Sequence, residues 1–260
     1  MDKRTNGESE KTMRKIAIYG KGGIGKSTTV SNLAVVLSLR GSKVMVIGCD
    51  PKADSTKLLL GGKRIKTVLQ ALEEKEDELT LEDIVYEGYH GVLCVESGGP
   101  TPGLGCAGRG VVTALEHLEG LNAYEVYRPD IVFYDVLGDV VCGGFTMPIR
   151  KGFAKEVYVI SSAEMMALYA ADNIAQAIRN FGSRGYAKLS GLIHISRNID
   201  NEDEIVARAA REIGTQVIGK LSRSKTVQDA DQQQKTVHEL FPDSQIVKEY
   251  QAIASALLKS

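Results

Sequence analysis

No apolar run in this chain approaches the roughly 20 residues that a membrane-spanning helix requires, so a bilayer-embedded protein is not expected. Residues 1–12 lack the apolar core of a secretory signal and read as a flexible, solvated tail. Both absences point to the cytoplasm. Cysteine is scarce, with 4 in 260 residues, and no C-x-x-C pair occurs. Neither a zinc ribbon nor a thioredoxin-type site is indicated, and a reducing compartment argues against structural disulfides. Neither sign of charge dominates: the net charge is −1. There is therefore no electrostatic case for general binding to nucleic acid or to a membrane surface. Linkers, repeats and low-complexity stretches are missing beyond residue 12, so residues 13–260 are expected to form a single domain.

What is present is organised around Gly20-Lys21-Gly22-Gly23-Ile24-Gly25-Lys26-Ser27-Thr28. Gly20 and Gly25-Lys26-Ser27 satisfy the pattern G-x-x-x-x-G-K-[ST], and the flanks are right for it. The short apolar run at 15–19 predicts a strand, and Val30, Leu33, Ala34 and Leu37 predict a helix with one buried face. Glycines let the backbone wrap closely enough for its N–H groups to reach phosphate oxygens. In such a loop Lys26 meets the outer phosphates, Ser27 offers a hydroxyl to Mg²⁺, and the helix N-terminus adds partial positive charge. The expected ligand is a nucleoside triphosphate with Mg²⁺.

Further apolar runs at 43–48, 92–96, 130–135, 156–160, 189–193 and 216–220 predict six more strands. Between and after them, residues 63–88 read as short helices, with Thr80 and Asp83 spaced as a capping box. Longer helices are expected after 110, over 163–181, 201–213 and 245–258. Strands alternating with helices predict an α/β fold of the P-loop NTPase class, a mainly parallel sheet covered on both faces. In such a sheet ligands sit at the strands' C-terminal ends. Four acids fall there: Asp135 ends the fourth strand, Asp139 follows it, and Asp50 and Asp54 lie in the loop after the second. Asp135 is placed to hold Mg²⁺ directly or through water, Asp139 to hold Mg²⁺ or position the attacking water, and Asp50 and Asp54 to approach the γ-phosphate.

Two of the cysteines differ from the others. Cys49 and Cys94 lie at or within apolar strands, where a thiol behaves as a small apolar group. Cys106 and Cys142 lie in glycine-rich loops, whose exposed thiolates and free backbone N–H groups suit iron–sulfur ligation. Two ligands cannot complete a cubane. Either all four cysteines of one chain serve or two chains supply two each, and spacing does not decide between these.

With these residues assembled, the chain from Arg14 onward resembles the nitrogenase iron protein family, dinitrogenase reductase and its nitrogenase-like relatives. The resemblance is carried by the 20–28 loop, Cys49-Asp50-Pro51-Lys52-Ala53-Asp54-Ser55-Thr56, Gly105-Cys106-Ala107-Gly108-Arg109-Gly110 and the stretch 135–145. Met147-Pro148-Ile149-Arg150 and Glu164-Met165-Met166-Ala167 add to it. It implies a homodimer with one [4Fe–4S] cluster held by Cys106 and Cys142 of each subunit. It implies that Lys21 reaches the other subunit's nucleotide, that residues 50–55 and 135–142 are nucleotide-responsive switches, and that Lys52 and Gln228 belong to the ATP site. Arg109 corresponds to a docking-surface arginine that some organisms ADP-ribosylate. The implied activity is ATP-dependent donation of low-potential electrons to a nitrogenase or nitrogenase-like catalytic protein, including a nickel-tetrapyrrole reductase.

The departures are local. The family's Cys-Asn-Ser-Arg reads His194-Ile195-Ser196-Arg197 here, so an adenine-contacting asparagine is replaced by isoleucine; His194 reads as a packed histidine. Its Pro-Arg-Asp reads Ser222-Arg223-Ser224. Both fall on the base-binding side. A non-redox switch ATPase, like those of division-site placement and plasmid partition, shares the Lys21-type loop but lacks the paired loop cysteines.

Overall fold

Strands β2 (Val44–Cys49) and β5 (Ile131–Val136) are buried along their whole length. Continuous apolar runs of this kind mark parallel strands covered on both faces. The computed structural model describes residues 12–99, 107–138, 149, 152–182 and 187–259. These strands belong to one eight-stranded sheet that also contains β1 (Arg14–Gly20), β3 (Tyr86–Glu87), β4 (Leu93–Glu96), β6 (Glu156–Ser161), β7 (Lys188–Ile195) and β8 (Val217–Leu221). The order is β3-β4-β2-β5-β1-β6-β7-β8, and every pairing except β3–β4 is parallel. β1 lies between β5 and β6. Chain order reverses direction there, and such a switch point opens a crevice at the strands' C-terminal ends.

Successive residues of a strand face opposite sides, and β1 shows the consequence. Ala17 and Tyr19 enter one core, which contains residues of α2 (Val68–Lys75), α3 (Ala107–Gly120), α4 (Ala123–Tyr127), α5 (Met165–Gly182) and α6 (Glu202–Glu212). Ile16 and Ile18 enter the other, built with α1 (Lys26–Leu39), α7 (Lys225–Gln232), α8 (Val237–Leu240) and α9 (Gln245–Lys259). The sheet is covered on both faces, as expected for an α/β fold. No described helix is long and apolar enough to cross a membrane.

Three features differ from the periodicity reading. α1 is not half-buried: every residue from 29 to 37 is buried, because the helix packs on the sheet and under α9. Residues 63–88 do contain α2, begun by a Thr67–Gln70 capping box, but they also contain the short antiparallel edge strand β3. The Thr80–Asp83 box forms as read, on a single tight turn rather than a full helix. α7 and α8 carry no clear apolar stripe, with only Ala230 and Val237 buried, and nothing in their sequence announced them.

Candidate nucleotide and switch site

The loop after β1 is built by backbone conformations that glycine tolerates. Gly23 and Gly25 have φ of 72° and 106°, in the left-handed region. Gly20 meets β6 so closely that a Cβ on it would lie 2.3 Å from the Ile160 carbonyl oxygen. Gly25 is the N-cap of α1 and offers no side chain, so no capping group competes for the first amides of that helix. Uncapped N–H groups with the helix dipole behind them form an anion site.

Below the loop, Ser27 Oγ donates to Asp135 Oδ2 at 2.5 Å. Asp135 is 2% exposed and its Oδ1 has no hydrogen-bond partner among the described residues. Burial, with Asp50 nearby, pushes its carboxyl up, while Lys26, Ser27 and Ser55 pull it down. A buried carboxylate oxygen without a donor, beside a hydroxyl, is a hard-oxygen set that fits Mg²⁺. Gly138, two residues beyond β5, lies directly over the loop: a Cβ there would be 1.7 Å from the Gly20 carbonyl oxygen and 2.6 Å from Lys26 Nζ. Loop, lysine and the chain leaving β5 are thus in contact.

The segment after β2 turns tightly. Asp50 Oδ1 accepts from the Lys52 amide at 2.9 Å, its carbonyl accepts from the Ala53 amide at 3.0 Å, and Ala53 sits at φ 51°. Asp50, Lys52 and Asp54 remain partly or fully exposed, whereas Ser55 and Thr56 are buried. Thr56 is held by Glu96, whose Oε1 accepts from both its amide and its hydroxyl at 2.7 Å.

On the other side of the loop is a cavity of about 200 Å³, lined by Gly23, Gly25, Thr28, Ile195, Arg197 and Gln228 among others. The loop bearing Ile195 is shaped from below: Glu202 accepts from Ser196 Oγ and the Arg197 amide, and Lys220 bridges Glu202 and Asp203. His194 is buried beneath it, desolvation pushing its imidazole pKa down, with Nδ1 3.3 Å from Asp203. The Lys220 ammonium already serves these carboxylates as a cation, so His194 reads as packing rather than as a ligand. Ser222, which also lines the cavity, is committed to Glu249 through its amide and hydroxyl.

The family model for 4Fe-4S iron sulfur cluster binding proteins, NifH/frxC family, matches residues 14–260. The chain belongs to the NifH/frxC family. Its fold is that of P-loop ATPases. The cell division ATPase MinD of Pyrococcus furiosus superposes with a TM-score of 0.74 at 17% identity, over 95% of this chain and 99% of that one. MinD of Pyrococcus horikoshii, solved with Mg-ADP, gives 0.72 at 16% identity over 95% and 96%. Cobyrinic acid a,c-diamide synthase of Mycobacterium smegmatis, solved with an ATP analogue and magnesium, gives 0.66 at 19% identity over 95% of each. At these identities the likeness is one of fold.

Within this NifH/frxC chain, Lys21 stands on the outer side of the phosphate loop. It borders a second cavity with Gly138, Met166, Tyr169, Ala170, Asn173 and Ile174. Around it Met165, Met166 and Tyr169 of α5 are exposed by 82%, 61% and 61%, an apolar surface beside the nucleotide loop. Arg109 is exposed in the first turn of α3. Asp139, Cys106 and Cys142 lie outside the described residues.

The remaining cysteines are placed clearly. Cys49 and Cys94 are both 0% exposed, and they enter opposite cores of the sheet. Burial pushes both thiols up, against the thiolate that metal ligation requires. Sequence reasoning missed Glu96 and Tyr250 near this site; Glu96 was signalled only by an acid ending an otherwise apolar strand.

Proposed function

We propose that this chain is an ATP-dependent reductase of the nitrogenase iron protein type. Two subunits share one [4Fe–4S] cluster through Cys106 and Cys142 and pass low-potential electrons to a nitrogenase or nitrogenase-like catalytic protein. The observation that carries this reading is the position of Asp135. It is hydrogen-bonded to Ser27 at the Mg²⁺ corner of the phosphate loop, and its own chain continues through Gly138, packed on that loop, to Cys142 seven positions on.

The placement of the two described cysteines supports a cluster shared between chains. A cubane takes four thiolates, and Cys49 and Cys94 point into separate cores. In this reading Cys106 and Cys142 of each of two chains supply the four thiolates. The cluster, when bound, supplies single-electron chemistry at low potential. The protein's residues do the rest: amides of residues 20–28 and Lys26 cradle the phosphates, Ser27 and Asp135 hold Mg²⁺, and Asp139 positions the attacking water. Asp50, Lys52 and Asp54 meet the γ-phosphate side, and Gln228 and its cavity take the base. The apolar surface around Lys21 supports a second copy packed there, with Lys21 directed at that copy's nucleotide. Arg109, exposed in the first turn of α3 and three positions after Cys106 in sequence, belongs to the docking face in this reading.

Protein purified without oxygen tests this. About two irons and two sulfides per chain, one cubane per dimer, are expected. Cys106→Ser or Cys142→Ser should abolish the cluster and Cys94→Ser should retain it. Iron-free protein after reconstitution would leave the non-redox switch ATPase as the better reading. Capture of the catalytic protein with a non-hydrolysable ATP analogue then separates a nitrogenase from a tetrapyrrole reductase.

A further inference from the structure

β2 pairs with β4 through Gly48 and Glu96, and with β5 through Gly48 and Asp135. These three residues form one row across the sheet, and residues opposite each other on adjacent strands share a face. Gly48 supplies no side chain. Its place is occupied: a Cβ there would lie 2.0 Å from Glu96 Oε2 and 2.7 Å from Ser55 Cβ. The Glu96 carboxylate therefore extends over the glycine, toward the Asp135 side of the row.

Glu96 is 1% exposed, an unusual depth for an acid. Its Oε1 takes both hydrogen bonds from Thr56, and its Oε2 has no partner among the described residues. Burying a carboxylate that is only half satisfied costs stability, and an apolar side chain would pack more cheaply. The neighbouring Ser97 adds a second tie: its amide and hydroxyl both donate to the Gly48 carbonyl, at 2.9 and 2.8 Å. The chain leaving β4 is thus bonded at its root to the end of β2 and to the residue that closes the 50–55 loop. Cys106 lies ten positions beyond Glu96.

We propose that Glu96 is a positioning residue that couples the 50–56 loop to residues 97–99, where the chain leaves β4 on its way in sequence to Cys106. Movement of that loop on nucleotide binding then has a second path to the cysteines, besides the one through β5 and Gly138. The inference rests on the nucleotide site proposed above.

Hydrogen exchange read by mass spectrometry tests it, with the full-length protein in Mg-ADP and in Mg²⁺ with a non-hydrolysable ATP analogue. In the wild type, peptides covering 50–56 and 97–106 should both change their exchange rate between the two nucleotides, by about threefold or more. In Glu96→Ala the change should persist in 50–56 and vanish in 97–106, with nucleotide affinity kept within about threefold. Glu96→Gln, which keeps the acceptor for Thr56, should restore it. Thr56→Val removes the hydroxyl hydrogen bond with little change of shape while keeping the amide one, and should clearly reduce the nucleotide-dependent change in 97–106 even if the alanine variant fails to fold. A nucleotide-dependent change in 97–106 that is undiminished in Thr56→Val overturns the proposal, as does a Glu96→Gln protein that behaves like a coupling-deficient one. Wild-type protein that binds nucleotide with no change in 97–106 sinks this inference alone. Failure to bind either nucleotide sinks the functional reading with it.

Discussion

Ser27 and Asp135 are 108 residues apart in sequence and 2.5 Å apart in space. One lies in the first turn of the helix after the phosphate loop and the other near the end of the strand beside it, so a single hydrogen bond joins the two halves of the proposed Mg²⁺ site. Ser27→Ala removes the hydroxyl and leaves Asp135 buried without its donor. Mg²⁺-dependent ATP hydrolysis should fall by about 100-fold or more, the scale of losing metal-assisted charge stabilisation. Phosphate release with and without Mg²⁺ checks this; a variant within a few-fold of wild type would remove Ser27 from the metal site.

Gly138→Ala tests the contact between the chain leaving β5 and the phosphate loop. The added methyl would meet the Gly20 carbonyl oxygen at 1.7 Å, which is backbone and cannot swing away. The 137–138 segment must lift. Overpacking of this kind costs about 1–3 kcal/mol of stability. A displacement near 1 Å beside the phosphates should lower hydrolysis by about 100-fold. Melting and steady-state hydrolysis measured together separate the two effects, and wild-type hydrolysis in this variant would count against a working contact.

Glu96 gives the stability a defined pH dependence. Burial, opposed by the Thr56 hydrogen bonds and reinforced by Asp135 and Asp54, raises its carboxyl from 4.5 to about 7. A raised pKa means that the folded state holds the proton more tightly than the unfolded one. Its contribution is therefore complete below pH 4.5 and is lost as pH rises through 7. Glu96→Gln should remove that slope and raise stability at pH 8 by up to about 3 kcal/mol. Urea unfolding of both proteins at pH 5 and pH 8 is the check, and parallel behaviour would show that Glu96 titrates normally.

Arg14 and Glu156 close the bottom of the sheet, at the start of β1 and β6. The guanidinium donates through Nε at 2.8 Å and through a second nitrogen at 2.5 Å, and also bonds the Leu257 carbonyl of α9. Both side chains are mostly buried, at 21% and 15% exposure. A paired, charge-assisted contact at this depth makes Glu156→Ala destabilising by about 2–3 kcal/mol. Because the pair lies at the opposite strand ends from the phosphate loop, nucleotide affinity should be unchanged. Chemical denaturation and nucleotide titration of the same variant read the two separately.

Much of this protein was legible in the residues themselves. The 20–28 loop is recognisable because its chemistry is local: glycines at positions where φ must be positive, a lysine and a hydroxyl at a fixed offset, a strand before and a helix after. The α/β class and most strands follow from apolar runs whose length and spacing are also local. Gly138 was read only as part of a loop, yet its missing side chain is what admits the Gly20 carbonyl. α7 was invisible because its burial depends on one alanine.

The order of the strands was decided only by the tertiary structure. Side by side in the sheet, β4, β2 and β5 bring Glu96, Gly48 and Asp135 into one row, although nothing in their separate sequences links them. The same geometry sends Cys49 and Cys94 into opposite cores of the sheet. Motifs are set by neighbours along the chain, which sequence records. Register and facing are set by neighbours across it, and those exist only once the sheet has formed.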